Sequence, residues 1–412
     1  MNIIGVIAEY NPFHLGHLYQ INKIKERYPD SIIIAIISTN FTERGEISIL
    51  NKWDKTKICL EYNIDLVIEL PTLYGTQSAD MFAYAAINIL NSLHIDTLVF
   101  GTETDNIDDL VKLANIQLNS KLYDELVKKY LDTGINYPTA QSKALKDITN
   151  INIDKPNDLL ALSYIKEIIK NDYKITPISI KRTNDYHSKI VESNIINASL
   201  IRKLIIQNED VSKYVPELTL KYINKNISID NAYKYLLYTI INNKDHLNEY
   251  LSVDEGIENR LIKQITSSNS WEELVMNIKT KRYTYNKINR MLIHILLGIK
   301  KTDNNKDIYI RILGFNTKGR NYLNKIKKNI TIPIFTSNKP NKVNSLDIEY
   351  KSTYIYSLIT NDLSLIKKEY QNKPIIKKWK NRLIFLLFHL KYQQIVYQEK
   401  YWHIQIFYSY LV

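Results

Sequence analysis

The stretch Gly5-Val6-Ile7-Ala8-Glu9-Tyr10-Asn11-Pro12-Phe13-His14-Leu15-Gly16-His17 passes from an apolar run into a polar turn and then into a helix start. A strand over Ile3 to Ala8 and a helix over Gly16 to Arg27 form the first unit of a repeating pattern. Further β-branched runs follow at Ile32 to Ile37, Leu66 to Leu70, Thr97 to Phe100 and Ile175 to Ile180, each bounded by polar or Gly/Pro positions. Between them lie helical patterns at Lys52 to Tyr62, at Ala79 to Leu93 and at several places from Ile107 to Lys170. Strands that are apolar almost throughout, alternating with helices, predict a parallel sheet covered on both faces, hence a doubly wound α/β domain. Ligands of such sheets sit beyond the carboxyl ends of the strands, where strand order reverses. The loops to read for chemistry are therefore 9–17, 38–46, 71–78, 101–105 and 181–187.

Past about residue 206 the alternation gives way to helical patterns, as at Asn231 to Ile241, Trp271 to Lys279 and Lys287 to Leu297. A small α/β element is predicted at 308–335, and helices resume after Asn344. The expected division is a catalytic domain over 1–205 and a mainly helical region over 206–412, in keeping with a chain of 412 residues.

Charge follows the same division. Residues 281–412 hold 25 Lys and Arg against 7 Asp and Glu, a balance of +18, whereas 1–280 sum to −6. A basic rear third suits a polyanion such as nucleic acid, although a chain rich in Ile, Asn and Lys can also spread lysines over solvated faces. The single cysteine, Cys59, excludes an internal disulfide framework and fits a reducing compartment, with the cytoplasm the default. No basic n-region precedes the first apolar run, and the run from Leu383 to Leu390 falls far short of the roughly 20 residues a spanning helix needs.

In the first loop, Pro12 fixes a turn and Gly16 lets the backbone approach a ligand. The helix start offers unpaired N–H groups and a positive dipole end to phosphate. His14 and His17, three apart, share one face of the first turn and suit the charge that builds on an α-phosphate as pyrophosphate leaves. A lone histidine would more often cap or pack; a pair around a glycine, directly after a first strand, points to chemistry. In the second loop Arg44 can reach a phosphate or an acid with its fork, or else pair with Glu43 or Glu46. Gly101 closes the fourth strand where a purine or ribose could lie, or else makes only a tight turn. Asn157 fits a helix cap as well as it fits an adenine or ribose contact. Arg182 and His187 follow the fifth strand, and Ser199 with Arg202 at a helix start suggests a grip on the outer phosphates. Together these loops describe an adenylyl-transfer site. No HExxH, Cys/His spacing, P-loop or GxSxG occurs, so no protein metal cage is expected. Magnesium enters with ATP, held mainly by its phosphates.

Ten ordered blocks resemble one family, the bacterial tRNA(Met) cytidine acetate ligases of the HxGH nucleotidyltransferase superfamily. They are GVIAEYNPFHLGH (5–17), NFTERGE (40–46), DLVIELP (65–71), TQSAD (76–80), FGTE (100–103), KPND (155–158), YH (186–187), NASLIR (197–202), KRYT (281–284) and LGFNTKGR (313–320). The resemblance implies a HUP/Rossmann-like nucleotidyltransferase domain followed by a basic, tRNA-gripping helical part. It implies a reaction in which acetate and ATP give acetyl-adenylate, whose acetyl passes to N4 of the wobble cytidine of elongator tRNA(Met), leaving AMP and pyrophosphate. It also implies a nucleotide site drawn from Ile7 to Gln20 (Ile7, Tyr10, Asn11, Pro12, Phe13, His14, Gly16, His17 and Gln20) with Gly101, Asn157, Arg182 and His187. Ser199 joins that set, and the catalytic residues are read as His14, His17, Arg44 and Arg202. The family pattern Gly-Asn-Phe-Val-Gln-Arg-Gly is here Thr39-Asn40-Phe41-Thr42-Glu43-Arg44-Gly45, so Thr39, Thr42 and Glu43 depart from it. Its Ser-Ala-Thr-x-Ile-Arg is Asn197-Ala198-Ser199-Leu200-Ile201-Arg202, which keeps a hydroxyl and the arginine. Two other readings stay open on the residues alone: an adenylyltransferase for a small metabolite, and a non-catalytic RNA-binding protein on a nucleotide-binding fold.

Overall fold

The computed structural model describes residues 1–182, 195–223, 227, 229–305, 307–336 and 343–377. Its strands are β1 (Ile3–Ala8), β2 (Ile32–Ser38), β3 (Leu66–Leu70), β4 (Thr97–Thr102), β5 (Thr176–Lys181), β6 (Ile310–Asn316), β7 (Ile334–Phe335) and β8 (Ile375–Lys377). They form one sheet in the order β5-β4-β1-β2-β3-β6-β7, with β8 also on β6. β1 to β5 pair in parallel throughout, as the sequence predicts. Strand order runs outward from β1 through β2 and β3, then resumes on its other side with β4 and β5. The reversal therefore falls between β1 and β4, and the crevice outside their carboxyl ends is the expected ligand site.

Both faces are covered, which explains why the strands read as unbroken apolar runs. Ile3, Ile32, Ile34, Ile36, Ile68 and Leu98 point into one core with helices Ala79–Ser92 and Pro156–Lys170. Their neighbours Ile4, Val6, Ile33, Ala35, Ile37 and Val99 point into the other, with helices Leu15–Arg27, Lys52–Glu61 and Ala198–Ile206. The period of two is satisfied on each side at once.

The rear half does not stand apart. The predicted element at 308–335 exists, with helix Thr317–Ile326 between β6 and β7, but β6 runs antiparallel to β3 and so extends the front sheet. Rear helices Ile229–Asn242, Trp271–Ile278 and Tyr285–Leu297 bury Leu236, Leu274 and Leu292 in the core that already holds Ile34 and Leu98. Sheet and core thus cross the expected 205/206 boundary.

A buried ion network fastens the two halves. Lys52 Nζ lies 2.8 Å from Glu69, 3.0 Å from Glu349 and 2.8 Å from Glu369. Arg311 on β6 pairs with Glu69 and Glu369, and Tyr309 donates to Glu69 at 2.6 Å. Three carboxylates facing two cations and a phenol are tolerable in a dry interior only because every member is hydrogen-bonded. No helix among the described residues is long and apolar enough to cross a membrane.

Candidate active site

A cleft of about 720 Å³ opens at the carboxyl ends of β1 and β4. Most of the expected residues line it: Ile7, Tyr10, Asn11, His14, Gly16, His17, Gln20, Arg44, Gly101, Asn157, Arg182, Ser199 and Arg202. Pro12 and Phe13 do not. Both are buried beneath the loop, where Phe13 stacks on Tyr62 at 5.5 Å and meets the edge of Tyr10 at 4.8 Å. They shape the turn from below, because the apolar Phe13 is drawn into the core under helix Leu15–Arg27. His187 lies outside the described residues.

The histidine pair is built by helix capping. His14 is the N-cap of helix Leu15–Arg27, and its Nδ1 accepts the Gly16 N–H at 3.0 Å. His17, at the third helical position, accepts the His14 N–H on its own Nδ1 at 3.2 Å. This is a capping box with imidazoles in place of the usual hydroxyl and carboxylate. The rings stack 3.8 Å apart. A Cβ on Gly16 would stand 2.8 Å from the His14 ring, so glycine is needed there for the cap itself. Burial, then the charges of Arg182 and Arg202, push His14 down to about 3. Burial, His14 and Arg182 hold His17 well below its ordinary value. Both rings are therefore neutral at physiological pH, and since each Nδ1 accepts a backbone N–H, each proton resides on Nε2. The cap thus fixes which nitrogen of each ring carries the donor.

The second loop folds as a tight turn, with Thr42 N–H to Glu46 C=O and Gly45 N–H to Thr42 C=O, both at 3.0 Å. Gly45 has φ +72, and a Cβ there would strike the backbone of Asn289 and Arg290. That glycine lets the loop seat on rear helix Tyr285–Leu297. The departures from the family pattern find partners: Thr39 bonds Thr72 at 3.1 Å, Thr42 Oγ1 accepts Glu46 N–H at 3.3 Å, and Glu43 pairs with Arg290 at 2.6 Å. Arg44 lines the cleft, while Glu43 pairs with Arg290 and Glu46 with Arg202. Arg202 also donates to Asn11 C=O at 2.9 Å and Ser199 Oγ at 3.3 Å, so the helix that starts at Ala198 is locked to the histidine loop.

Asn157 is not a cap. Lys155 holds that position, and Glu103 serves the helix start instead, accepting from Asn157 Nδ2 at 2.6 Å and Asp158 N–H at 3.2 Å. Sequence reasoning gave no role to Glu9, Asp80, Lys166 and Arg290, which also line the cleft. Nor did it single out Lys55, whose buried Nζ donates to the carbonyls of Glu9, Ser38 and Thr39 at 2.7, 2.9 and 2.9 Å and so joins the first two loops. The TQSAD and KRYT blocks pointed toward two of these walls without assigning them chemistry. Among the described residues, no group of three or more His, Cys, Asp and Glu side chains is placed to hold a metal ion.

The family model described as HIGH Nucleotidyl Transferase matches residues 1–372. The tRNA(Met) cytidine acetate ligase of Clostridium perfringens (strain ATCC 13124) is 39% identical over 409 residues, covering 91% of this chain and all of that protein. The chain belongs to the tRNA(Met) cytidine acetate ligase family of HIGH nucleotidyl transferases. The ligase of Clostridium novyi (strain NT) is 35% identical over 401 residues, with 92% and 100% of the two chains covered. Among solved structures, apo Thermotoga maritima TmcAL superposes with a TM-score of 0.85 at 27% identity, covering 92% of this chain and all of that one. The same protein bound with alpha-thio ATP gives 0.83 at 27% identity and the same coverage.

Proposed function

We propose that the chain activates acetate with ATP and transfers the acetyl group to N4 of the wobble cytidine of elongator tRNA(Met). In the first step an acetate oxygen attacks the α-phosphorus of ATP and pyrophosphate leaves. In the second, cytidine N4 attacks the carbonyl carbon of acetyl-adenylate and AMP leaves. The observation that carries this reading is the His14–His17 pair, two neutral rings fixed with Nε2–H as donor at a helix N-terminus in the switch-point crevice. Fixed N–H dipoles aimed where phosphate charge develops lower the barrier without reorganising. Arg182, Arg202 and Arg44 supply positive charge along the same cleft, and Gly101 with Asn157 forms its nucleoside side. ATP enters as its magnesium complex, the ion held mainly by phosphate oxygens. The relatives' printed name and the alpha-thio ATP complex of the Thermotoga protein support the substrate assignment. The basic rear third supports a polyanionic acceptor.

The test is acetate-stimulated release of pyrophosphate from Mg-ATP by the full chain. Release that requires acetate is expected. Release indifferent to acetate, or stimulated only by another small acceptor, would overturn the assignment.

A further inference from the structure

Four carboxylates of the described residues line the cleft: Glu9, Glu43, Glu46 and Asp80. Three are paired with cations. Glu43 meets Arg290 at 2.6 Å, Glu46 meets Arg202 at 2.6 Å, and Asp80 meets Lys166 at 2.5 Å. Glu9 differs. Its Oε1 accepts the Glu43 N–H at 2.7 Å, and its other oxygen takes no hydrogen bond from a described residue. Its main chain is fixed as well, because its carbonyl accepts from buried Lys55, which ties it to the ends of β2 and the second loop. Glu9 is thus a rigidly mounted carboxylate, the first residue past β1, with one oxygen left for a ligand.

Nucleophilic attack by an exocyclic amine needs a proton acceptor, since the nitrogen must shed one N–H as it becomes an amide. The histidines are unsuited to it, as each already carries its proton on Nε2, the nitrogen that the cap leaves over. We propose that Glu9 is the general base of the acetyl-transfer step, an assignment that rests on the reaction proposed above. The N4–C bond forms, the N4 proton passes to Glu9, and the bond from the acetyl carbon to the adenylate oxygen breaks, its electron pair leaving with AMP. Glu9 then returns the proton to solvent.

Two further observations fit the role. Burial raises the Glu9 pKa, reinforced by the Glu43 and Glu46 carboxylates and opposed by the Glu43 N–H and the Arg44 charge. Lys55 from helix Lys52–Glu61 and Tyr164 from helix Pro156–Lys170 also face it. A carboxylate raised toward neutrality is a better proton acceptor than an ordinary one. The same wall also carries Asn11, only 3% exposed. Its Oδ1 is committed to the Ile49 N–H at 2.9 Å, and its Nδ2 has no partner among the described residues. That uncommitted donor suits the carbonyl oxygen as it gains charge.

The experiment compares wild type with Glu9→Gln, which keeps the acceptor oxygen for Glu43 N–H. Both half-reactions are read on the full chain: acetate-dependent exchange of labelled pyrophosphate into ATP, and single-turnover acetyl transfer to tRNA across pH. The variant is expected to keep exchange within a few-fold while transfer falls by about 100- to 10,000-fold, the span of general-base contributions. The rising acid limb of the transfer profile should also vanish. Glu9→Asp should restore part of the transfer together with that limb. Equal loss of exchange and transfer, or unchanged transfer, would overturn the assignment. Absence of both half-reactions from wild type would instead sink the functional reading, and this one with it.

Discussion

Replacing His17 by alanine separates the two roles that the imidazole capping box combines. The substitution removes one N–H donor from the phosphate side of the cleft, and loss of a single preorganised donor typically costs about 100- to 1,000-fold in rate. It also strands the His14 N–H, which now donates to His17 Nδ1 at 3.2 Å, at a cost of roughly 1–3 kcal/mol if no water replaces it. His17→Gln distinguishes the two effects. Glutamine at the third position of a capping box reaches back to the N-cap N–H, so the melting temperature lost by His17→Ala should largely return. The donor, however, would no longer sit where the ring placed it 3.8 Å from His14. Acetate-dependent pyrophosphate exchange and thermal unfolding, measured on both variants, are the assays. Exchange should stay about 100-fold or more below wild type in both, while tRNA binding is retained. If exchange recovered in step with stability in His17→Gln, the histidine would be structural and the reading wrong.

Three further outcomes follow from named groups. In the unfolded chain His14 titrates near 6.5, whereas folded it stays unprotonated down to about 3. Its stabilising contribution is thus complete above about pH 6.5 and is lost as pH falls from there, at roughly 1.4 kcal/mol per unit. The urea midpoint should drop between pH 7 and 4.5, and His14→Asn, which can still cap the helix, should flatten that drop; an unchanged slope would contradict it. Lys52→Met leaves Glu69, Glu349 and Glu369 facing Arg311 alone and should cost about 3–5 kcal/mol in urea unfolding. A cost under about 1 kcal/mol would show that the network is not what joins β3 to the rear helices. Affinity for tRNA should fall steeply with salt, each neutralised phosphate adding about 0.7–0.9 to the log–log slope. A flat response would remove the basic rear third from recognition.

The legible part of the fold was the part specified locally. β1 to β4 announce themselves because both of their faces are buried, and the histidine pair because a cap and its glycine are neighbours in sequence. β6 was readable as a strand but not as a member of the front sheet. Its partner β3 lies about 245 residues earlier, and its buried Arg311 becomes reasonable only once Glu69 and Glu369 are known to meet it. The same limit applies to the site. Glu43 read as a departure in the second loop until rear Arg290 supplied its counter-charge. Asn157 could be a cap or a contact until Glu103, from another strand end, took over the helix start. Glu9 stood inside the quoted motif, yet its role depends on which cleft carboxylates are paired, and those pairs are tertiary.

The most direct test of the whole account is to supply the purified chain with Mg-ATP, labelled acetate and unmodified elongator tRNA(Met), then digest the RNA and weigh its nucleosides. The account predicts N4-acetylcytidine at the wobble position, formed with AMP and pyrophosphate. Unmodified cytidine with intact ATP, or an adenylylated small molecule in place of acetylated RNA, would contradict it.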